Sequence, residues 1–209
     1  MHEIPAKLER GLAELGQPLP ADAGARFLAY LELLAKWNRT FNLTAVRDPE
    51  RMIGLHILDS LSVRPHLPSG PLADIGSGAG LPGIPLAIAE PLRPVTLNDA
   101  NQKKTSFLRQ AVIELGLRNA QVHQGRVESW RPTTYFACVI ARGYAELARL
   151  VADTRHLLQP GGVVAAMKGV LPREELANLP AGADCSDVRR LVVPQLDAER
   201  HLVLCRCPA

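Results

Sequence analysis

The sequence predicts an α/β protein built on a doubly wound, mostly parallel sheet, with a small helical extension before it and an antiparallel hairpin at its C-terminal end. Three observations carry that reading. From Leu72 onward, short apolar runs alternate with helix-like segments, the signature of parallel strands joined by helical crossovers. The first third instead places apolar residues at helical spacing, and the last stretch offers two strand patterns in succession. At 209 residues the chain holds one such domain and a small appendage, divided here at residues 1–66 and 67–209.

In chain order, Phe27, Tyr30, Leu31, Leu34 and Trp37 form one apolar helical stripe. Asp48-Pro49 is a helix start, with Asp48 as N-cap and Pro49 in the first turn, and Ile53, Ile57, Leu58 and Leu61 continue as its buried face. Pro65, Pro68, Gly70 and Pro71 form the loop that separates this part from the sheet. Parallel strands are predicted at Leu72–Ile75, Val95–Leu97, Ala120–His123, Cys138–Ala141 and Val163–Met167. A helix is predicted at Lys103–Leu115, with Phe107, Leu108, Ala111, Val112 and Leu115 inward and Gly116 as its stop. Val188–Pro194 and His201–Arg206 are predicted as the hairpin.

Composition narrows the function classes. A chain 47% hydrophobic and 22% charged folds around a core, and no apolar run approaches the roughly 20 residues that cross a bilayer. The opening Met1-His-Glu-Ile-Pro-Ala lacks the order of a signal peptide, so a cytoplasmic protein without membrane contact is expected. Cys138 falls in an apolar run, Cys185 in a polar stretch, and Cys205 and Cys207 near the C-terminus. With no C-x-x-C spacing, reduced thiols and no metal site are expected. The net charge of +3 is compatible with a nucleic-acid partner without requiring one.

The motif that carries chemistry is Asp74-Ile-Gly-Ser-Gly-Ala-Gly80, between the first predicted strand and a helix starting near Pro82. Its glycines allow backbone angles closed to other residues and let a ligand touch the main chain, next to a helix N-terminus. Gly78, Gly80 and Gly83 also satisfy the dinucleotide pattern. Asp74, however, would set a negative charge against a pyrophosphate, whereas a cofactor with a cationic sulfonium and amino group tolerates it. Asp99 closes the next strand, where a carboxylate accepts both ribose hydroxyls. The pair points to S-adenosyl-L-methionine.

The acceptor is read partly from what is missing. Cys138 lies within a strand, unlike the loop nucleophile of a pyrimidine-C5 enzyme, and Ala141-Arg142-Gly143-Tyr144 replaces the Pro-Pro-aromatic signature of exocyclic-amine methylation. An exposed lone pair such as guanine N7, a hydroxyl or a protein nitrogen is left. N7 carries no proton and needs no general base. Lys36, Asn38, Arg39 and Arg47 around Trp37, with Lys103 and Lys104 after Asp99, suit a phosphate backbone and an unstacked base. The competing reading is a solvated helix face with Trp37 in the core. Of the two readings of His56 and Asp59, ligands or a helix-end hydrogen bond, the hydrogen bond is expected, and Arg142, just past an apolar strand, is a site residue by position.

Laid out in this way, the sequence resembles the RsmG (GidB) family of bacterial 16S ribosomal RNA guanine-N7 methyltransferases. The resemblance rests on Lys36-Trp-Asn38, Asn42-Leu-Thr44, Arg47-Asp-Pro49, His56-Ile-Leu-Asp-Ser60 and the extended glycine loop through Gly83-Ile-Pro85. It continues in Leu97-Asn-Asp99, Phe107-Leu-Arg109, Arg126-Val-Glu128, Ala141-Arg142, Met167-Lys-Gly169 and Glu199-Arg-His-Leu202. It implies a Rossmann-like class I methyltransferase sheet and methylation of one guanine in the 16S RNA loop near the decoding centre. It also implies that Gly76 and Leu81 line the methionine part of the cofactor, Asp99 its ribose, and Val127 and Glu128 its adenine, with Gly78 in the loop. Arg142 would lie by the acceptor or the cofactor carboxylate and is the candidate catalytic residue. Ala79 and Tyr144 depart from the usual Pro and Phe, and Tyr144 would alter packing beside the acceptor. A methyltransferase acting on a small molecule or protein, and a non-catalytic RNA-binding module, are the rival readings. A monomer is expected.

Overall fold

The structure, a computed structural model, describes residues 3–179 and 182–206, so Cys207 lies outside the described residues. The chain opens with helices α1 (Glu3–Leu15) and α2 (Ala23–Phe41). α2 forms because its apolar residues repeat every three to four positions. Phe27, Tyr30, Leu31 and Leu34 are all buried. It ends at Asn42, whose left-handed backbone closes the last turn onto the Asn38 carbonyl. The next helical stretch runs as α3 (Pro49–Met52), a π-helical segment (Ile53–Leu58) and α4 (Asp59–Ser62). Asp48 caps it as expected, its side chain accepting from the Glu50 N–H at 2.9 Å.

The sheet follows. Strand β1 (Leu72–Ile75), helix α5 (Gly83–Ala89), β2 (Val95–Asp99), α6 (Gln102–Glu114) and β3 (Ala120–Gln124) form one half. β4 (Phe136–Arg142), α7 (Leu147–Thr154), β5 (Leu158–Lys168), α8 (Arg173–Ala177), β6 (Asp184–Arg190) and β7 (His201–Arg206) form the other. The seven strands lie in the order β3-β2-β1-β4-β5-β7-β6. The first five are parallel, and β7 runs antiparallel to both its neighbours. Strand order reverses between β1 and β4, and the crevice beyond their C-terminal ends is where such sheets bind ligands.

Each face of the sheet has its own core. On one face Leu72, Leu97, Cys138 and Ile140 pack under α5, α6 and the N-terminal helices, so the helical extension and the sheet share a single core. Each large side chain there, such as Phe27 or Phe107, contributes about 1.5–3 kcal/mol by leaving water. On the other face Ala73, Ile75, Val139 and Val164 meet Leu147, Leu150 and Val151 of α7.

Two expectations need correction. The penultimate strand is Asp184–Arg190, not Val188–Pro194. Leu191 and Val193 are buried, but they pack into the core after the strand has ended, and the strand itself is a polar edge. Cys185 and Cys205 are not free thiols. The antiparallel register sets them side by side on β6 and β7, joined by a disulfide with Cα atoms 4.0 Å apart. Cys138 is free and buried. Among the described residues no helix is long and apolar enough to cross a membrane, and no cluster of His, Cys, Asp and Glu is placed to hold a metal ion.

Candidate active site

Two clefts open at the C-terminal ends of the strands, one on each side of the point where strand order reverses. The first, about 420 Å³, is lined by Gly76, Asn98, Asp99, Lys104, Gly125 to Glu128, Gly143 and Tyr144. The second, about 470 Å³, is lined by His56 of the π segment, Asp59 at the start of α4, Arg142 and Lys168 at the β4 and β5 ends, and Arg200 just before β7. Gly143 and Tyr144 belong to both and form the partition between them.

The glycine loop borders the first cleft through Gly76. Gly76, Gly78 and Gly80 all have positive φ (65°, 57° and 86°), so the loop needs glycine for its shape as well as its openness. Tyr30 pins it from below by donating to the Ala79 carbonyl at 2.7 Å. Asp99 faces the cleft with its carboxylate oriented by two backbone donors. Gly78 N–H binds Oδ2 at 3.0 Å and Asn101 N–H binds Oδ1 at 2.8 Å. Each oxygen keeps a lone pair for a ligand hydroxyl. Asn98 donates to His123 Nδ1 and to the carbonyls of His123 and Gly125, tying the β2 and β3 ends together behind it. A glycine cradle, a positioned acidic pair of oxygens and the flanking Val127 and Glu128 fit a nucleoside with a vicinal diol.

The structure redistributes the residues expected at this cleft. Gly76, Asp99, Val127 and Glu128 line it, and Gly78 supports Asp99. Asp74 does not open into it. Its side chain is fully buried, and Oδ2 accepts from the Gly83 N–H at 2.9 Å, holding the start of α5. Burial pushes its carboxyl up to about 6. Oδ1 has no hydrogen-bond partner among the described residues. Leu81 is also in the core and does not line the cleft. Lys104, expected at RNA, stands here instead, 3.8 Å from Asp99.

The second cleft is cationic with one buried anion at its base. Asp59, 2% exposed, binds Arg142 at 3.1 Å through one oxygen and Arg200 at 2.9 Å through the other. Arg142 also donates to the Leu55 carbonyl at 2.9 Å, so the π segment holds it in place. Lys168 is bound to Glu175 and to the Ala145 carbonyl, and Glu175 in turn accepts from the Leu147 N–H. This set fixes the backbone that follows the partition. His56 contacts Thr44 Oγ1 at 3.0 Å. Burial, reinforced by Arg142, pulls it down to about 4, so it is neutral at physiological pH.

Asp59 and His56 are therefore parts of this cleft and not a helix-end hydrogen bond. Arg142 lines the second cleft and not the first. Asn38 is withdrawn as an RNA contact: it is buried, and its amide is spent on the Thr44 backbone at 3.0 and 2.9 Å. Lys36, Arg39, Arg47 and Lys103 are exposed, with Arg47 bound to Asn42. Trp37 packs against Phe41 and Phe107. Lys168 and Arg200 were not singled out as site residues, although Met167-Lys-Gly169 and Glu199-Arg-His-Leu202 carried the signal, and Tyr144 was named only for packing beside the acceptor.

Comparison with known proteins decides the family. A family model described as rRNA small subunit methyltransferase G matches residues 24–203. This chain belongs to that family. A relative named ribosomal RNA small subunit methyltransferase G, from Methylobacillus flagellatus, is 55% identical over 94% of this chain and 95% of its own length. Another of that name, from Chromobacterium violaceum, is 52% identical over 95% of each chain. Among solved structures the fold is shared with the O-methyltransferase TomG from Streptomyces achromogenes, at a TM-score of 0.59, 16% identity and full coverage of both chains. It is shared too with the glycopeptide N-methyltransferase MtfA, at a TM-score of 0.58 and 15% identity, over 74% of this chain and 96% of that one. The expected Rossmann-like methyltransferase sheet is thus the fold this chain shares with them.

Proposed function

We propose that the chain transfers the methyl group of S-adenosyl-L-methionine to N7 of a guanine in 16S ribosomal RNA, in the cytoplasm. The observation that carries this reading is the pair of clefts with a shared wall: one fits the donor, and the other offers cations to an acceptor. When bound, the donor supplies an electrophilic methyl on a sulfonium sulfur. In the transfer the guanine N7 lone pair forms the new N–C bond, the C–S bond breaks, and its electron pair stays on sulfur. Guanine gains the positive charge that sulfur loses, and no proton moves.

The residues suit that demand. Among the described residues of the acceptor cleft no side chain is poised as a general base: Asp59 is held between two arginines, and His56, pulled down to about 4, is a weak base whose Nε2 already meets Thr44 Oγ1. The contribution of this chain is position and charge. Arg142, fixed by Asp59 and Leu55, can donate to guanine O6 and leave the N7 lone pair free. Lys36, Arg39, Arg47 and Lys103 provide exposed charge for the phosphate backbone.

The test supplies labelled donor and small ribosomal subunits that lack the modification, then separates RNA, protein and small molecules. Label in 16S RNA supports the reading. Label in ribosomal protein or a metabolite with none in RNA would overturn it.

A further inference from the structure

Tyr144 is the one large side chain on the shared wall of the two clefts, and it lies directly over the glycine loop. A Cβ added to Gly76 would meet Tyr144 Cδ2 at 2.9 Å. The residue before it, Gly143, has a φ of 64°, a turn that aims the ring back across the β1 end. Its hydroxyl donates to Asp153 Oδ2 at 3.2 Å. Arg149 Nε binds the same Asp153 oxygen, and its other arm reaches Glu128 at 3.1 Å. Glu128 lines the donor cleft. A relay of polar contacts therefore runs from the far end of the donor cleft, through Arg149 and Asp153, to the partition.

We infer that Tyr144 is a positioning residue that couples the two clefts, its ring setting the acceptor wall according to whether the donor cleft is filled. A donor seated on Gly76 must share that surface with the ring, and a donor that engages Glu128 competes with Arg149. Both events bear on Tyr144 from opposite ends of the relay. Donor binding thereby fixes the wall against which the acceptor base rests, and acceptor binding is tighter once the donor is in place. This inference rests on the donor and acceptor assignment proposed above.

The experiment measures kcat and acceptor KM for Tyr144→Phe, Tyr144→Ala and Arg149→Gln. It also measures RNA affinity with and without S-adenosylhomocysteine. Tyr144→Phe keeps the ring and loses the tether, and Arg149→Gln breaks the relay outside both clefts. Each is expected to raise acceptor KM about three- to tenfold with kcat near wild type, to abolish the tightening of RNA binding by S-adenosylhomocysteine, and to be non-additive in the double variant. Tyr144→Ala is expected to lower kcat at least tenfold, with partial rescue by phenylalanine. If Tyr144→Ala fails to fold, the other two variants decide. Wild-type kinetics in both, or effects that multiply in the double variant, would overturn the inference. Product analysis of wild-type enzyme is read separately: methylation of something other than guanine N7 refutes the assignment, while the coupling is still read from the actual acceptor.

Discussion

Asp74, one residue before the end of β1, and Asp99, the last residue of β2, are used differently by the fold, and each use has a measurable consequence. Asp74 is fully buried, and its carboxyl is raised to about 6 from 3.8. The fold therefore favours its protonated form. That contribution is complete below about pH 4 and is lost as pH rises through 6, after which the buried anion costs about 3 kcal/mol. Asp74→Asn keeps an acceptor for the Gly83 N–H without the charge. In urea denaturation of the cofactor-free protein it should exceed wild type by up to about 3 kcal/mol at pH 8 and lose that advantage by pH 4. An advantage independent of pH would contradict the burial argument. Asp99 is also largely buried, but its carboxylate lines the cleft and is already oriented by Gly78 and Asn101. Asp99→Asn loses the charged acceptor and turns an amide toward a backbone donor. Calorimetry should read donor binding about 10- to 100-fold weaker, the worth of hydrogen bonds to a charged group.

At the scale of elements, the sheet's C-terminal ends do the positioning, and its antiparallel edge is stapled. The Cys185–Cys205 bridge closes a separation of 20 residues between β6 and β7. Cross-linking of that span removes about 3 kcal/mol of unfolded-state entropy. Calorimetry should find Tm lower by roughly 6–12 °C under reductant, with Cys185→Ser insensitive to it. An equal response of both proteins would refute the staple. The junction of β1 and α5 is as tight. A Cβ at Gly83 would stand 2.3 Å from Leu97 Cδ2 and 2.7 Å from Asp74 Oδ2. Gly83→Ala should cost about 1–3 kcal/mol by overpacking, read as a lower denaturation midpoint with an unchanged slope.

Across the whole molecule, apolar patterning made the frame legible and left the chemistry at its edges. β1 matched its predicted bounds, but β2, β4 and β5 extend past their apolar runs into Asn98 and Asp99, Arg142, and Lys168. These polar ends line the two clefts, and a pattern search for buried strands stops before them. Asp74 could have been placed, because strand alternation puts it on the face of Leu72, toward the start of α5, and not into the crevice. The contacts of Asp59 with Arg142 and Arg200 span 83 and 141 residues, and the disulfide depends on register, so neither could be read from spacing. The glycine loop and Asp99 were legible because their backbone demands are local. The most direct test of the central claim is the identity of the methylated nucleoside. Small subunits lacking the modification are treated with labelled donor, and their 16S RNA is digested and resolved. The account predicts that the label co-migrates with 7-methylguanosine. Label in any other nucleoside, or none in the RNA, would contradict it.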